Sequence, residues 1–281
     1  MSYTLAMPVD VRAAVLANTR LSDDYNVLAL DAPDLAALAA PGQFVMVKTS
    51  PGFEPLLRRP FSIFEVLRDA GGRPSAITVM NKRVGIGTTL LYEARPGERV
   101  SVLGPLGKPF EIVEPPSRAW LVAGGVGLAP FATLAAALLR AGTDTTLFYG
   151  ARRAADLHRI DQFEALGLRV VAATEDGSRG DRGFVTVPLA RELEAVRPEA
   201  ALRLYACGPT PMMRAVCALA LRHGRRCDVS LEQVMGCGMG GCFSCVVRVR
   251  GKEGAPHFVR SCLAGPIFDG GDIVWEELGG H

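Results

Sequence analysis

The sequence lacks a surplus of charge of either sign. Its 31 Lys and Arg face 29 Asp and Glu, for a formal net charge of +2, so it has none of the basic excess that nucleic-acid binding requires. Apolar stretches are broken by charges, Gly or Pro before they reach the roughly 20 residues of a membrane-spanning helix. Internal repeats and low-complexity tracts are also missing. These absences favour a globular protein that binds neither nucleic acid nor membrane.

The sequence has few histidines and shows no pattern typical of an export signal. The four histidines share no ligand spacing, and we assign no role to them: His158, His223, His257 and His281. Met1 to Leu5 do not form a basic segment followed by an apolar one, the mark of a secretory leader. Seven cysteines, an odd number, also argue against a closed disulfide framework. We therefore expect a cytoplasmic protein with reduced thiols.

What the chain does have is an ordered set of four cysteines near its C-terminus. Cys237, Cys242, Cys245 and Cys262 are separated by four, two and sixteen residues. The first two intervals are the plant-type [2Fe–2S] spacing, and the distant cysteine closes the cage. Four glycines lie within or beside the loop and allow a tight fold. A zinc site is the alternative, but such sites usually pair their ligands in two short Cys motifs. Cys217 and Cys227 lack ligand spacing, and we interpret them as structural thiols.

The first 114 residues predict a small antiparallel β-barrel. Six short β-rich runs are divided by turn residues. We expect them at 9–18, 25–31, 43–49, 61–67, 76–80 and 99–103. One helix, 86–94, is expected between the last two strands and begins at a Gly-rich turn. A helix that begins there would direct free N–H groups at an anion.

After Pro115-Pro116 the period changes, and strands alternate with helices. This pattern predicts a parallel nucleotide-binding α/β domain over residues 115–224. We expect its helices at 129–141, 155–166, 187–195 and 211–223. From residue 225 to 281 the chain is rich in Cys and Gly and predicts a small third domain around the four cysteines. The fold class is multidomain, combining α+β and α/β parts.

Two segments carry residues suited to binding a nucleotide cofactor. In Leu57 to Ile63, Arg59 could neutralise a pyrophosphate and Ser62 could bond a flavin ring edge, while Gly87 and Thr88 open a helix. Taken alone, the segment favours the other interpretation, in which Arg59 is a surface charge and Ser62 an ordinary strand residue. The second segment follows the first strand of the α/β domain, where glycines permit close approach of backbone N–H groups to a pyrophosphate. It departs from the Gly-x-Gly-x-x-Gly fingerprint, and simple packing is the alternative.

In order and spacing these motifs resemble the ferredoxin-NADP reductase superfamily over nearly the whole chain. The resemblance implies a barrel that binds FAD through Arg59, Pro60, Phe61 and Ser62, then Met80, Asn81 and Lys82, then Gly87 and Thr88. It implies a nicotinamide nucleotide held by Gly124, Gly125, Gly127, Ala129, Pro130, Tyr149, Gly150, Cys207, Gly208 and Pro209. It also places Cys207 near the site of hydride transfer, although a buried small residue is the other interpretation.

A narrower pattern joins Leu56 to Ile63, Glu175 to Gly183 and Glu232 to Cys245. It is similar to the electron-transfer subunits of dihydroorotate dehydrogenase B. That resemblance implies FAD, NAD and a [2Fe–2S] cluster on Cys237, Cys242, Cys245 and Cys262. It implies a partner, the FMN-containing catalytic subunit that oxidises dihydroorotate in pyrimidine synthesis, in a heterotetramer with two copies of each chain. The protein is then an oxidoreductase subunit, complete only with its partner.

Three alternatives stay open. A bifurcating NADH-dependent ferredoxin-NADP oxidoreductase and a sulfhydrogenase have related FAD/[2Fe–2S] subunits. A redox sensor that uses its cluster would need an effector domain, for which the chain has no spare length. NADP is an alternative to NAD, because Arg152 and Arg153 follow the second α/β strand where a 2′-phosphate could be bound.

Overall fold

The computed structural model describes residues 7–50, 52–251 and 254–278. Met1 to Leu5 and His281 lie outside these ranges. Within them, no helix combines the length and the apolar character needed to cross a membrane.

The first part of the chain is a closed six-stranded antiparallel barrel, which confirms the prediction. Its strands are β1 (Val9–Arg20), β2 (Tyr25–Asp31), β3 (Phe44–Lys48), β4 (Arg59–Arg68), β5 (Pro74–Lys82) and β6 (Arg99–Leu106), in the spatial order β1-β2-β5-β4-β3-β6. Helix α1 (Pro33–Leu38), which the sequence did not predict, and α2 (Ile86–Glu93), which it did, complete this part. Alternate residues such as Leu28 and Leu30, or Ile77 and Val79, fill the barrel, as the two-residue period of a strand requires.

The second part is a seven-stranded sheet. Its first strands and helices are β7 (Arg118–Gly124), α3 (Phe131–Arg140), β8 (Thr145–Ala151), α4 (Ile160–Ala165), β9 (Arg169–Thr174), β10 (Asp181–Arg182), α5 (Thr186–Glu194), β11 (Leu202–Cys207), α6 (Thr210–Arg222) and β12 (Arg226–Ser230). A two-stranded ribbon, β13 (Val246–Arg250) and β14 (Pro256–Arg260), is followed by α7 (Ser261–Ala264) and β15 (Ile267–Asp269). The sheet order is β10-β9-β8-β7-β11-β12-β15, parallel except for β15.

Two features of this sheet differ from expectation. The helix expected over 155–166 begins only at Ile160, because Arg159 has a left-handed backbone with φ of 59°. Strands β10, β12 and β15 were not predicted. Strand β10 has only two residues, both charged, β15 has only three, and Arg226 and Asp228 interrupt the apolar pattern of β12. The structure shows that Asp228 of β12 is nevertheless buried, because an arginine partners it.

The chain folds into two compact units. The first contains the barrel residues up to Pro109, together with Gln233–Val246 and Arg260–Pro266. The second contains Phe110–Glu232, Val247–Val259 and the residues from Ile267 onward. All four cysteines of the motif fall in the first unit. The boundaries 1–114, 115–224 and 225–281 stay a prediction of domain organisation.

A buried ion pair joins β11 to β12. Arg203 donates to Asp228 Oδ2 through Nε at 3.0 Å and Nη2 at 2.6 Å, and their side chains are 12% and 3% exposed. Burial raises the pKa of Asp228, and the positive charge of Arg203 opposes that effect. The pair fixes β12 against the strand that ends at Cys207.

Asp228→Ala is expected to lower the free energy of unfolding by about 3 kcal/mol, because the buried guanidinium loses its main partner. Urea denaturation measures the change. Glu192→Ala is the control, since it breaks the more exposed pair with Arg169 and should cost less than about 1 kcal/mol. Equal losses in the two variants would contradict the assignment.

Candidate redox and nucleotide sites

The residues predicted to bind the nicotinamide nucleotide meet at the carboxyl ends of three neighbouring strands. Ala123 of β7 lies opposite both Tyr149 of β8 and Cys207 of β11. The remaining predicted residues surround these strand ends: Gly124, Gly125, Gly127, Ala129, Pro130, Gly150, Gly208 and Pro209. Ligands of open α/β sheets bind at this edge, so the topology brings the predicted set together.

The turn after β7 and the turn after β11 lie against each other. A Cβ added to Gly127 would lie 2.2 Å from the carbonyl oxygen of Cys207 and 2.6 Å from Gly208 Cα. Tyr149 is fully buried and its hydroxyl donates to the Gly125 carbonyl at 3.3 Å. Gly150 has a packing role, because an added Cβ would lie 2.8 Å from Val185 Cβ. Close packing therefore explains part of the glycine pattern.

Cys207 is buried at the centre of this edge. Burial raises its pKa well above the ordinary value, the negative charge of Glu232 adds to the rise, and a hydrogen bond with Ser230 opposes it. The thiol is therefore neutral near pH 7 and can contribute shape rather than charge. Its proximity to a nicotinamide ring stays a prediction.

Strand β4 presents its predicted flavin residues on two faces. Phe61 packs in the barrel core, and Ser62 and Pro60 point to the opposite face. On that outer face Ser62 lies opposite Phe44, and Pro60 lies opposite Met46. The structure thus places the predicted flavin-edge contact, Ser62, beside the side chain of Phe44.

The N-terminus of α2 lies close to Arg59. A Cβ added to Gly87 would be 3.3 Å from Thr49 Oγ1 and 3.6 Å from Arg59 Cγ. Thr49 Oγ1 is buried and has no hydrogen-bond partner within the described part of the chain, and the sequence did not single it out. An arginine, a helix N-terminus and an orphaned hydroxyl together fit the diphosphate of FAD.

Two of the other predicted FAD residues, Thr88 and Asn81, support this turn. Thr88 Oγ1 accepts the N–H groups of Val84 and Gly85. Asn81 is fully buried, and its amide donates to the Thr88 carbonyl at 2.9 Å, which ties α2 to β5. Met80 is buried and Lys82 is exposed. The side chain of Asn81 therefore acts on the helix, and direct FAD contacts of these residues stay predictions.

The four cysteines of the motif form two pairs. The Cys237 thiol lies close enough to Cys242 to affect its pKa, and the Cys245 thiol lies close enough to Cys262 to do the same. Among the described residues no three His, Cys, Asp or Glu side chains are grouped to hold one metal ion. Two pairs of thiols are what a [2Fe–2S] cluster needs, because each of its irons takes two protein ligands. The donor set therefore fits this cluster.

The two pairs differ in their surroundings. Cys242 is exposed, and hydrogen bonds from the Ser244 hydroxyl and backbone, with Cys237 contributing less, lower its pKa to about 6. Cys262 is buried, and burial followed by the neighbouring Cys245 raises its pKa to about 12. Cys242 can therefore bind iron as a thiolate at neutral pH. Cys262, by contrast, must lose its proton as metal binds.

Arg260 braces the cysteine loop from outside the motif. Its Nη1 donates to the Gly240 carbonyl at 2.7 Å, and its guanidinium lies 4.7 Å from the centre of the Phe243 ring. Phe243 has a left-handed φ of 59°, a conformation that costs energy in a non-Gly residue. Sequence reasoning missed Arg260, which no spacing rule connects with the loop.

The loop rests on the outer face of the barrel. Cys245, Cys262 and Met235 pack with Phe44 and Met46 of β3. Gly238, with φ of 72°, lies so close that an added Cβ would be 2.5 Å from Met46 Cγ. Phe44 and Met46 are the cross-strand neighbours of Ser62 and Pro60. The cysteines and the predicted flavin strand therefore share one face of one unit.

Comparison with known proteins agrees with this geometry. Residues 121–218 match the family model of the oxidoreductase NAD-binding domain, and residues 232–274 match that of the iron-sulfur cluster binding domain of dihydroorotate dehydrogenase B. A solved NADH-dependent reduced ferredoxin-NADP oxidoreductase, studied for flavin-based electron bifurcation, is 30% identical with a TM-score of 0.82, covering 95% of this chain and 91% of that one. The ferredoxin reductase of carbazole 1,9a-dioxygenase is 27% identical with a TM-score of 0.64, covering 78% and 67%.

Curated relatives are more similar in sequence. The dihydroorotate dehydrogenase B (NAD(+)) electron transfer subunit of Desulforamulus reducens is 37% identical over 94% of this chain and 98% of its own length. The protein of the same name from Bacillus caldolyticus is 39% identical, again over 94% and 98%. This chain belongs to the family of dihydroorotate dehydrogenase B electron transfer subunits.

Proposed function

We propose that this chain carries electrons to NAD+ by way of a [2Fe–2S] cluster and FAD. The electrons come from a catalytic subunit that oxidises dihydroorotate. When bound, the flavin exchanges both hydrides and single electrons, whereas the cluster passes one electron at a time. The chain supplies the scaffold. Its four cysteines hold the iron, and Arg59 and the α2 N-terminus bind the diphosphate. The edge formed by β7, β8 and β11 receives the nicotinamide nucleotide.

One observation carries the proposal. The cysteine loop packs on Phe44 and Met46, and these are the cross-strand neighbours of Ser62 and Pro60. Two redox groups held on one barrel face need no conformational change to come close together. A third group, the nicotinamide, then has to reach only the flavin. Because the flavin then lies between the cluster and the nicotinamide, this arrangement supports an electron route from the partner to the cluster, then to FAD and finally to NAD+.

The names of the relatives imply a catalytic partner, and we propose its details. The partner contains FMN, and two copies of each chain form a heterotetramer in the cytoplasm. Residues of the exposed loop between Cys237 and Cys245 border the partner, because Cys237 is partly exposed and Cys242 is exposed. Related subunits of bifurcating oxidoreductases or sulfhydrogenases have less support. The bifurcating enzyme matches at 30% identity, against 37% to 40% for several relatives that share the dihydroorotate dehydrogenase name.

Anaerobic co-expression with a candidate FMN subunit tests the proposal. We expect a coloured complex with FAD, FMN and a plant-type ferredoxin spectrum, which reduces NAD+ when dihydroorotate is added. NADP+ should react at least about tenfold more slowly, because a site that binds the ribose 2′-hydroxyl of NAD+ has to accommodate an additional charged phosphate. The same comparison tests Arg152 and Arg153, which would favour NADP+ if they bound that phosphate. The control is the same chain without the partner. This chain alone should oxidise NADH with ferricyanide but should not react with dihydroorotate.

Three outcomes would contradict the proposal. A colourless product that contains zinc would exclude the cluster. A complex that forms with hydrogenase subunits but not with the FMN subunit would favour a sulfhydrogenase. Faster reduction of NADP+ than of NAD+ would overturn the choice of nucleotide.

A further inference from the structure

Ser244 lies between two of the cysteine ligands and contacts the loop at two points. Its Oγ accepts the backbone N–H of Gly236 at 2.8 Å. The same Oγ lies 3.2 Å from Cys242 Sγ. Its neighbour along the chain, Phe243, has a left-handed φ of 59°. The hydroxyl is therefore held in place on one side by a backbone donor and directed on the other at a sulfur atom.

The direction of the second hydrogen bond follows from the chemistry of ligation. A cysteine bound to iron is a thiolate and has no proton to donate. The Ser244 hydroxyl has one proton, and one of its lone pairs already accepts the Gly236 N–H. With iron bound, the hydroxyl must donate to Cys242 Sγ. This contact is then a hydrogen bond to a charged acceptor, the stronger kind.

We propose that Ser244 raises the reduction potential of the cluster by donating this hydrogen bond to Cys242, an inference that rests on the proposed function. Reduction adds one negative charge to the cluster, and part of that charge lies on the sulfur ligands. A donor fixed at one ligand stabilises the more negative state. The backbone N–H of Met239 lies 3.4 Å from Cys237 Sγ and acts in the same direction, but it is a backbone donor, whereas the Ser244 hydroxyl can be removed by a side-chain substitution.

The test is an electron paramagnetic resonance titration of the anaerobic complex. In Ser244→Ala the equilibrium constant for one-electron reduction should fall about tenfold, which is 59 mV for a single electron. Ser244→Thr keeps the hydroxyl and should keep the wild-type potential. Ser75→Ala is the matched control, because Ser75 lies on β5 in the same unit and its hydroxyl donates to the Leu67 carbonyl at 3.4 Å. Its potential should not change.

The outcomes separate the two proposals. An alanine variant with full iron content and the wild-type potential would overturn the role of Ser244 and leave the proposed function standing. A wild-type protein that takes up no cluster would overturn the proposed function itself. If only Ser244→Ala fails to take up iron, the wild-type protein is compared in H2O and D2O by resonance Raman spectroscopy. We then expect the iron–sulfur stretching bands to shift, and bands that stay in place would refute the hydrogen bond.

Discussion

Cys242→Ala is expected to abolish dihydroorotate-dependent reduction of NAD+ while leaving the oxidation of NADH by ferricyanide nearly intact. The substitution removes a ligand, so the rate should fall by more than the roughly 100-fold loss that follows removal of an outer-shell partner. Ferricyanide takes electrons from the flavin and does not need the cluster. The split between the two activities distinguishes loss of the cluster from general unfolding.

Iron content provides the second measurement for this variant. The wild-type chain should contain about two iron atoms, and Cys242→Ala should contain almost none. Cys217→Ala is the matched control, because Cys217 is a buried thiol in the other unit and lacks ligand spacing. It should keep its iron and both activities. A Cys242→Ala protein with full iron and full activity would show that Cys242 is not a ligand.

Gly127→Ala is expected to have the largest effect on the nucleotide-binding edge. The added methyl group would meet the Cys207 carbonyl carbon at 2.4 Å and its oxygen at 2.2 Å. Overpacking usually costs about 1–3 kcal/mol when side chains can move aside. Here the obstacle is backbone, which cannot rotate away. We therefore expect the free energy of unfolding to fall by about 4 kcal/mol, above that range.

The same change should weaken NADH binding at least about tenfold, because a displaced Gly-rich turn withdraws backbone N–H groups from the pyrophosphate. Isothermal titration calorimetry and urea denaturation measure the two effects. Gly52→Ala is the control, since among the described residues, its chain neighbours aside, no atom lies within 4 Å of the position of its added Cβ. Gly52→Ala should match the wild type in both measurements. Wild-type stability and affinity in Gly127→Ala would mean that the two turns do not touch.

The sequence predicted the barrel and most of the α/β sheet because their apolar residues alternate or recur with clear periods. Strand β12 was not predicted because Arg226 and Asp228 interrupt its apolar pattern. Ion pairs with neighbouring strands explain both residues, Asp228 with Arg203 and Arg226 with Asp269. The interruption at Arg159 depends on one left-handed residue, which no periodicity reveals. The period of the apolar residues therefore predicted most helices and strands. It could not predict a strand whose charged residues are paired with distant residues, or a helix whose start depends on one left-handed residue.

The residues of the candidate sites likewise divide into those that the sequence identified and those that only the structure reveals. Spacing alone identified the four cysteines, since iron–sulfur ligation constrains the sequence directly. The proximity of the cysteine loop to Ser62 depends on the register of β3 with β4, which a single sequence does not contain. Ser244 lay inside the motif, but a small polar residue there has many uses. Thr49 had no signal at all, because its interest comes only from an unsatisfied buried hydroxyl.

The partition of the chain has a consequence for protein engineering. After Glu232 the backbone passes repeatedly between the two units, with the cysteine segments in one and the ribbon and β15 in the other. A truncation after Gly224 would thus remove the iron ligands and also strip β12 from β11, which leaves an open sheet edge prone to aggregation. Neither unit is encoded by an uninterrupted gene segment. Shuffling of this redox module between proteins must therefore transfer the whole chain.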